Sequence, residues 1–469
     1  MSTRYSFAIP IIVGCAQFMH QFDGSAIATA LPSMAETLHD DPLRLNLAIS
    51  CYLLALAVFV PVSGWMASRY GAKRVFTIAI VVFTASSVLC GLSHTLAQLV
   101  VARTLQGIGG AMMTPVGRFI VVRTAPREAL VKAINYITLP AGLAPVLGPS
   151  VGGFIVSYLS WPWIFFLNVP IGVAGVLLAR RFIPDIEDER PPAFDLGGFV
   201  LAGIALAALT FGFESAGRGL LPGTVIAALL IAGAGCAVGY FFHARRAANP
   251  VIDLSLARIA TYSESLTGGA LFYMTTTSSV FLLSILFQIG FGLSAFHAGL
   301  MTLAVAGGTT LARFALRPIL RLVRFREFLI VNAAVTGVYL VACGFFRADT
   351  PYLLLVAVLF VGGLSRALQF TAISSLSYAE IPRDLMSRAT SLSAMTQQFA
   401  QSLGVGLTAF IVHFSVAAHG RDTLTAADIA PAYWAIGAAS FLSIFIFARL
   451  RAQVGEDMRE RGAGAPRGR

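Results

Sequence analysis

Fourteen long apolar runs, each nearly free of charge, decide what this chain can become. They cover roughly residues 7–32, 45–68, 75–93, 97–117, 131–158, 162–180, 195–213, 223–242, 262–289, 297–316, 328–346, 351–376, 389–413 and 431–450. An α-helix rises about 1.5 Å per residue, so about 20 such residues cross the hydrocarbon of a bilayer. The runs are continuous rather than alternating, which favours spanning helices over the strands of a barrel. Hydrophobic residues make up 57% of the 469 and charged residues 12%, too little polar surface to cover a water-exposed fold. A large hydrophilic enzyme domain, disorder and a collagen-like fibre are excluded on the same grounds. The run from Phe7 is too long for a cleavable signal peptide and reads as a first span. Cys15, Cys51, Cys90, Cys236 and Cys343 each sit inside an apolar run, so neither a disulfide framework nor a zinc site is expected.

The basic residues orient the spans. With the N-terminus inside, 26 of the 33 Lys and Arg fall on the inner side, including Arg69–Arg74, the run from Arg118 to Lys132, the Arg317–Arg326 cluster and the tail. Arg44, Arg218, Arg347 and Arg421 fall outside, and Arg103, Arg313 and Arg366 lie within spans. This bias predicts a multi-pass protein with both termini cytoplasmic. The formal charge of +11 is accounted for by that placement, and no nucleic-acid partner is expected. Polar segments at 184–195 and 243–258 bracket two spans, with six spans before and six after. The expected organisation is an N-terminal six-helix bundle (1–181), polar linkers with two inserted helices (182–258), a C-terminal six-helix bundle (259–452) and a cytoplasmic tail (453–469). Six-plus-six symmetry is a transporter signature.

Local motifs agree with the span count. Gly64–Arg74 (GWMASRYGAKR) resembles the G-x-L-A-D-R-x-G-R-R loop of the major facilitator superfamily. Arg103–Gly110 (RTLQGIGG) resembles that superfamily's R-x-x-Q-G-x-G-G signature, and 144–153 (APVLGPSVGG) its G-P-x-L-G-P-x-x-G-G antiporter signature. Phe22-Asp23-Gly24-Ser25 followed by Ala30-Leu31-Pro32, and Trp161–Gly172 (WPWIFFLNVPIG), are similar to segments of the 14-span drug:proton antiporters of the EmrB/QacA type, MdtD-like proteins included. The resemblance implies an all-α major facilitator fold in the bacterial inner membrane. It implies a proton-coupled exporter of small amphiphilic compounds working by alternating access. Two alternatives stand beside it: an exporter of an endogenous metabolite, and a non-transporting membrane receptor or scaffold. Small-molecule substrate, protons and lipid are the expected partners, with a periplasmic adaptor and the oligomeric state left open. Two positions depart from the family pattern. Ser68 stands where the gate loop usually has Asp, leaving Arg69, Lys73 and Arg74 without that acid, and Ala144 replaces a glycine.

Individual residues carry the expected chemistry. Asp23 is the acid placed deep in a span, where an ionised carboxylate costs at least about 2.5–3.5 kcal/mol and so faces the bundle interior or a cavity. It reads either as a proton carrier or as a helix–helix hydrogen bond. His20 lies one turn away on the same face and reads as a proton-sharing partner or as a packing residue. Arg103 lies about 9 Å, and Asp23 about 12–14 Å, from the outer ends of their spans, so a pairing is feasible; snorkelling is the other reading. Arg366 either attracts an anionic substrate or is balanced by a structural partner. Phe272, Tyr273, Thr276, Gln397 and Gln401 are expected beside it in a mixed apolar–polar cavity. Ala144, Gly148 and Gly152 recur every four residues and allow close helix approach. With Pro145, Pro149 and Gly153 they read as a bent, tightly packed pivot. Gly64, Ser68, Arg69, Gly71, Lys73 and Arg74 form the expected cytoplasmic gate loop. No phosphate-binding loop, H-E-x-x-H or G-x-S-x-G occurs, so no enzyme, metal or cofactor is expected.

Overall fold

The computed structural model describes residues 7–40, 42–186, 193–218, 221–293, 295–382, 385–419 and 424–451. The expected tail, Arg421, most of the acidic stretch after Pro184, and the side chains of Pro145, Pro149 and Arg313 lie outside the described residues. All regular structure among the described residues is helical. The first half comprises α1 (Ala8–Leu38), α2 (Pro42–Phe59), α3 (Ser63–Tyr70), α4 (Ala72–Gly91), α5 (Leu96–Thr124), α6 (Arg127–Tyr158), α7 (Pro162–Phe166) and α8 (Asn168–Phe182). Then come α9 (Leu196–Arg218) and α10 (Gly223–Ala244), followed by α11 (Ala260–Ile285), α12 (Ala295–Leu322), α13 (Phe325–Cys343), α14 (Tyr352–Ser377), α15 (Met386–Ala418) and α16 (Ala426–Phe447).

Sequence explains the breaks. Pro61 cannot donate to the α2 ladder, and the chain tightens into a 3-10 turn at Val60–Val62 before α3 resumes. Gly71 ends α3 at φ 83°, in the region that a side chain disfavours. The Thr95 hydroxyl caps α5 by accepting from the Gln98 amide at 3.3 Å. Eleven helices among the described residues are long and apolar enough to cross a membrane. Helices α1, α6 and α12, of 31, 32 and 28 residues, overlap the other three expected runs.

Packing separates two groups of helices and then joins them. In the first, α1 lies along α6, and α5 along α2 and α4; in the second, α12 lies along α14, and α11 along α15 and α16. Glycines make these approaches possible. A Cβ at Gly308 would sit 2.0 Å from the Phe360 carbonyl oxygen, and one at Gly363 2.1 Å from that of Val305, so α12 and α14 touch backbone to backbone. Helix α9 packs on both α2 and α15, while α10 packs chiefly on α9 and leaves most of its surface outward. A polar clasp holds the chain after α10. The Tyr240 hydroxyl donates to the Ile252 carbonyl at 2.8 Å, and Arg388 of α15 donates to Asp253 at 2.8 Å and to Asn249 at 3.3 Å.

One expectation needs correction. The run starting at Arg118 was expected in an inner loop. Instead α5 continues to Thr124, and Arg118 is a helical residue only 3% exposed. The apolar run ended at Val116–Gly117 only because Arg118 interrupts it; the hydrophobic residues Phe119–Val122 continue the helix beyond the charge.

Candidate functional site

Asp23 on α1 and Arg103 on α5 are both fully buried, at 0% exposure, and form an ion pair through Arg103 Nη1 and Asp23 Oδ2. The remaining acceptor capacity of the carboxylate is used as well. Gln106 Nε2 donates to Asp23 Oδ1 at 3.0 Å, and Asn168 Nδ2 donates to the same oxygen at 3.2 Å. Gln106 sits one turn beyond Arg103, and its Oε1 accepts from Arg103 Nη1 at 2.6 Å. Ser87 on α4 accepts from both amides, at 2.8 and 3.3 Å. The Arg103 guanidinium carbon also lies 4.0 Å from the centroid of the Tyr52 ring, whose negative face attracts a cation. Four helices and the α7–α8 junction therefore converge on one carboxylate. A buried ion pair tolerates its lost hydration only when hydrogen bonds complete it, and this one is nearly complete. Arg103 Nη2 and Asn168 Oδ1 have no partner among the described residues.

His20 does not join Asp23. Its Nδ1 lies 2.5 Å from the Tyr52 hydroxyl, so the histidine is tied to α2 and the same tyrosine ring separates it from Arg103. Gly110 permits this arrangement: a Cβ there would lie 2.9 Å from His20 Nδ1.

A cavity of about 400 Å³ lies between the two helix groups, within the size range of small-molecule sites. His20 and Tyr52 face it, whereas Asp23 and Arg103 do not. Thr276, Arg366, Gln397 and Gln401 line it. Phe272 and Tyr273 do not; they are 3% and 6% exposed and pack into the second-half core behind Phe370. The Tyr273 and Phe370 ring centroids are 5.5 Å apart, and it is Phe370 that presents its ring to the cavity. Arg366 and Phe370 share a face of α14, and Phe272 and Tyr273, although one turn from Thr276 on α11, pack against the Phe370 ring.

The small-residue pivot and the loop after α2 also have definite places. A Cβ at Gly148 would fall 2.0 Å from Ser25 Oγ on α1, while Gly153 borders open space; Gly152 is buried. Ser25 also donates to the Ala144 carbonyl at 3.2 Å, so α1 and α6 are joined at the motif. In the loop, Gly64 is buried, Ser68 half-buried, and Arg69 and Arg74 exposed. Lys73 Nζ is 3.6 Å from Asp185 Oδ1, and the Ala72 amide donates to the Ile186 carbonyl at 3.2 Å.

A family model described as Major Facilitator Superfamily matches residues 13–244. A protein of Serratia proteamaculans named for multidrug resistance, MdtD, is 38% identical over 404 residues, 86% of this chain and 84% of that one. Its namesake from an Escherichia coli strain is 36% identical over 456 residues, 96% and 95% of the two chains. The chain belongs to the major facilitator superfamily. The solved proton:xylose symporter XylE, bound to 6-bromo-6-deoxy-D-glucose, has a TM-score of 0.65 over 97% of this chain and 99% of its own, at 14% identity. That likeness is one of fold. Membership and the long apolar helices make this an integral protein of the bacterial inner membrane, and a transporter rather than an enzyme.

Within this major facilitator, sequence reasoning missed four groups that complete the site. Gln106 and Asn168 were present only as letters of the fourth-helix and W-x-W-I-F motifs; their role as amide donors to Asp23 depends on which neighbours they meet. Tyr52 is an ordinary aromatic in an apolar run, with no local signal. Arg118 did have a signal: apolar residues resume immediately after it, as they do around Arg103.

Proposed function

We propose that this chain is a proton-coupled exporter of small amphiphilic compounds, acting in multidrug efflux by alternating access. It is built as two six-helix bundles, residues 1–181 and 259–452, about a two-helix insert within 182–258. The proposal includes fourteen spans and cytoplasmic termini, as the distribution of basic residues favours. The names of the MdtD relatives support the substrate range. The observation that carries the reading is the fully buried Asp23–Arg103 pair one layer behind a cavity shared by both helix groups.

The chemistry follows from donor and acceptor counts. As a carboxylate, Asp23 accepts from Arg103, Gln106 and Asn168. A proton on that carboxyl adds a donor where three donors already converge and cancels the attraction that holds Arg103. The guanidinium is then free to seek other acceptors, which repositions α5 against α1 and α2. Proton binding and helix packing are thereby the same event. The α1–α6 contact at Gly148 and Ser25 acts as the pivot, and the Gly64–Arg74 loop as the inner gate. His20 and Tyr52 connect the cavity to the pair. The test uses proteoliposomes containing an internal pH-sensitive dye. Asp23→Asn keeps the side-chain shape and removes titration; it loses uphill efflux and substrate-induced proton movement, whereas Asp23→Glu keeps part of both. Full proton-coupled efflux by folded Asp23→Asn protein overturns the assignment. Absence of substrate-dependent proton movement in the native protein favours a receptor or scaffold.

A further inference from the structure

Two arginines face the cavity, and neither is balanced by a carboxylate. Arg118 of α5 is 3% exposed, and its Nη2 donates to Gln397 Oε1 of α15 at 3.4 Å. Arg366 of α14 donates through Nη2 to the Gly142 carbonyl of α6 at 3.4 Å. Each arginine thus reaches a neutral acceptor on the opposite helix group, at the long end of the hydrogen-bond range. The ion pairs among the described residues involve Lys73, Arg103, His243, Arg388 and His419, and not these two. No Asp, Glu or Lys is among the described residues lining the cavity. The buried acid Asp23 is taken by Arg103, whose guanidinium lies against the Tyr52 ring, and does not line the cavity.

An unbalanced buried charge is costly, and buried charges are ordinarily paired or ligated. The pair to be expected here comes from the ligand. The site also offers a seat for an apolar body. Phe370 lies one helical turn from Arg366, and the Arg118 guanidinium is 6.0 Å from the centroid of its ring. The Phe370 ring therefore lies near the Arg118 guanidinium and one helical turn from Arg366, with Leu53, Leu56 and Val280 on the surrounding walls.

We propose that the cavity binds amphiphilic organic anions, with the anionic group held by Arg118 and Arg366 and the apolar body against Phe370. This names the substrate class of the exporter reading and rests on that reading only for the word substrate. Anion binding exchanges two weak bonds between the helix groups for charge-assisted ones. An anion reaching both arginines draws α5 and α14 to a common point, so occupancy bears on how the two groups sit together.

The test separates binding from transport. Full-length protein in neutral detergent, without a proton gradient, is titrated with three fluorescent probes of one scaffold: dansyl-aminohexanoate, its methyl ester and dansylcadaverine. The carboxylate is expected to bind at least about tenfold more tightly than the ester, as one net charge-assisted bond implies, and the amine more weakly still. Arg366→Gln and Arg118→Gln, checked for folding by gel filtration and melting temperature, each remove most of that preference and leave ester binding unchanged. Arg366→Lys restores part of it. Competition by phosphatidylglycerol but not phosphatidylcholine identifies a lipid anion as a source of the same chemistry; competition by free hexanoate identifies a soluble one. Equal or tighter binding of ester or amine by the native protein overturns the proposal, as does failure of the carboxylate to bind at all. Preferential anion binding without coupled proton movement in proteoliposomes leaves this inference standing and removes the exporter reading.

Discussion

The Asp23–Arg103 pair makes a quantitative prediction, because its parts are worth little apart. Both side chains are at 0% exposure, so neither charge can recover hydration if its partner is removed. In Arg103→Leu the carboxylate keeps the Gln106 and Asn168 amides but loses its countercharge. In Asp23→Asn the guanidinium keeps Gln106 Oε1, the weak Ala48 carbonyl contact at 3.4 Å and the Tyr52 ring, but faces an amide in place of a charge. Breaking a buried pair from one side costs about 3–5 kcal/mol, so each single variant should lose that much stability. Simple addition would then cost the double variant about 6–10 kcal/mol. The double variant instead leaves no stranded charge, and replacing a whole buried pair is often close to neutral. We expect Asp23→Asn/Arg103→Leu to lie within about 2 kcal/mol of the native protein, a coupling of at least about 4 kcal/mol. Denaturant titration in matched detergent micelles, followed by intrinsic tryptophan fluorescence, measures all four corners of the cycle. Additive losses would refute the reasoning, since they would mean that water reaches each charge independently. The double variant should regain stability without regaining proton movement, which separates the structural role of the pair from the proposed role in proton coupling.

Three further outcomes are expected. Single cysteines placed in the 69–74 loop and in the 347–350 turn, in a cysteine-free background, should label from the cytoplasmic and periplasmic sides respectively; labelling from the opposite sides would invert the topology. Gly363→Ala, whose Cβ would lie 2.1 Å from the Val305 carbonyl oxygen, should cost about 1–3 kcal/mol or more in detergent melts, while Gly153→Ala, with nothing within 4 Å, should be silent. Burial pushes the Asp253 carboxyl up, but hydrogen bonds from Ser255 and Arg388 outweigh it and hold the group below its ordinary value. The clasp to Arg388 is therefore fully present above the unfolded value of about 3.9 and lost as pH falls through the lower folded one; hydrogen-exchange protection of 249–259, relative to the intrinsic rate at each pH, should be flat from neutral pH to about 5 and fall in acid, and Arg388→Gln should lower it already at neutral pH.

Legibility in the sequence tracked how local each cause was. The helices came through because continuous apolar runs of spanning length have one solution in a bilayer. The joining of Asp23 to Arg103 came through because depth along a helix is arithmetic, 1.5 Å per residue. Azimuth is harder. Tyr273 and Phe370 have similar chemistry, and only the rotation of α11 and α14 about their axes decides which faces the cavity. His20 was read toward Asp23 because three residues along a helix share a face, yet Tyr52 from another helix lies nearer. Arg118 was lost to a different cause. A charge at the end of a hydrophobic stretch looks like a loop residue until the next turn of helix is counted.

The wall between cavity and ion pair is the part of the molecule where these levels meet. His20 and Tyr52 border the cavity and Asp23 does not, so in the proposed mechanism a ligand would meet them first. Tyr52 has two faces of use: its hydroxyl is held by His20, and its ring carries the Arg103 guanidinium. The backbone beneath it is held just as closely, because a Cβ at Gly107 would lie 2.5 Å from the Tyr52 carbonyl oxygen. Moving the tyrosine therefore moves both the polar contact on the cavity side and the cation on the buried side. A ligand that displaces the His20–Tyr52 bond alters the seat of Arg103 without meeting Asp23, and protonation of Asp23 alters the same seat from behind. Reciprocity between the two events is then required by linkage. Tyr52→Phe keeps the ring under Arg103 and removes only the hydroxyl. It should retain the stability of the ion pair while weakening the dependence of proton movement on substrate; equal substrate dependence in native and variant proteoliposomes would show that the signal crosses elsewhere.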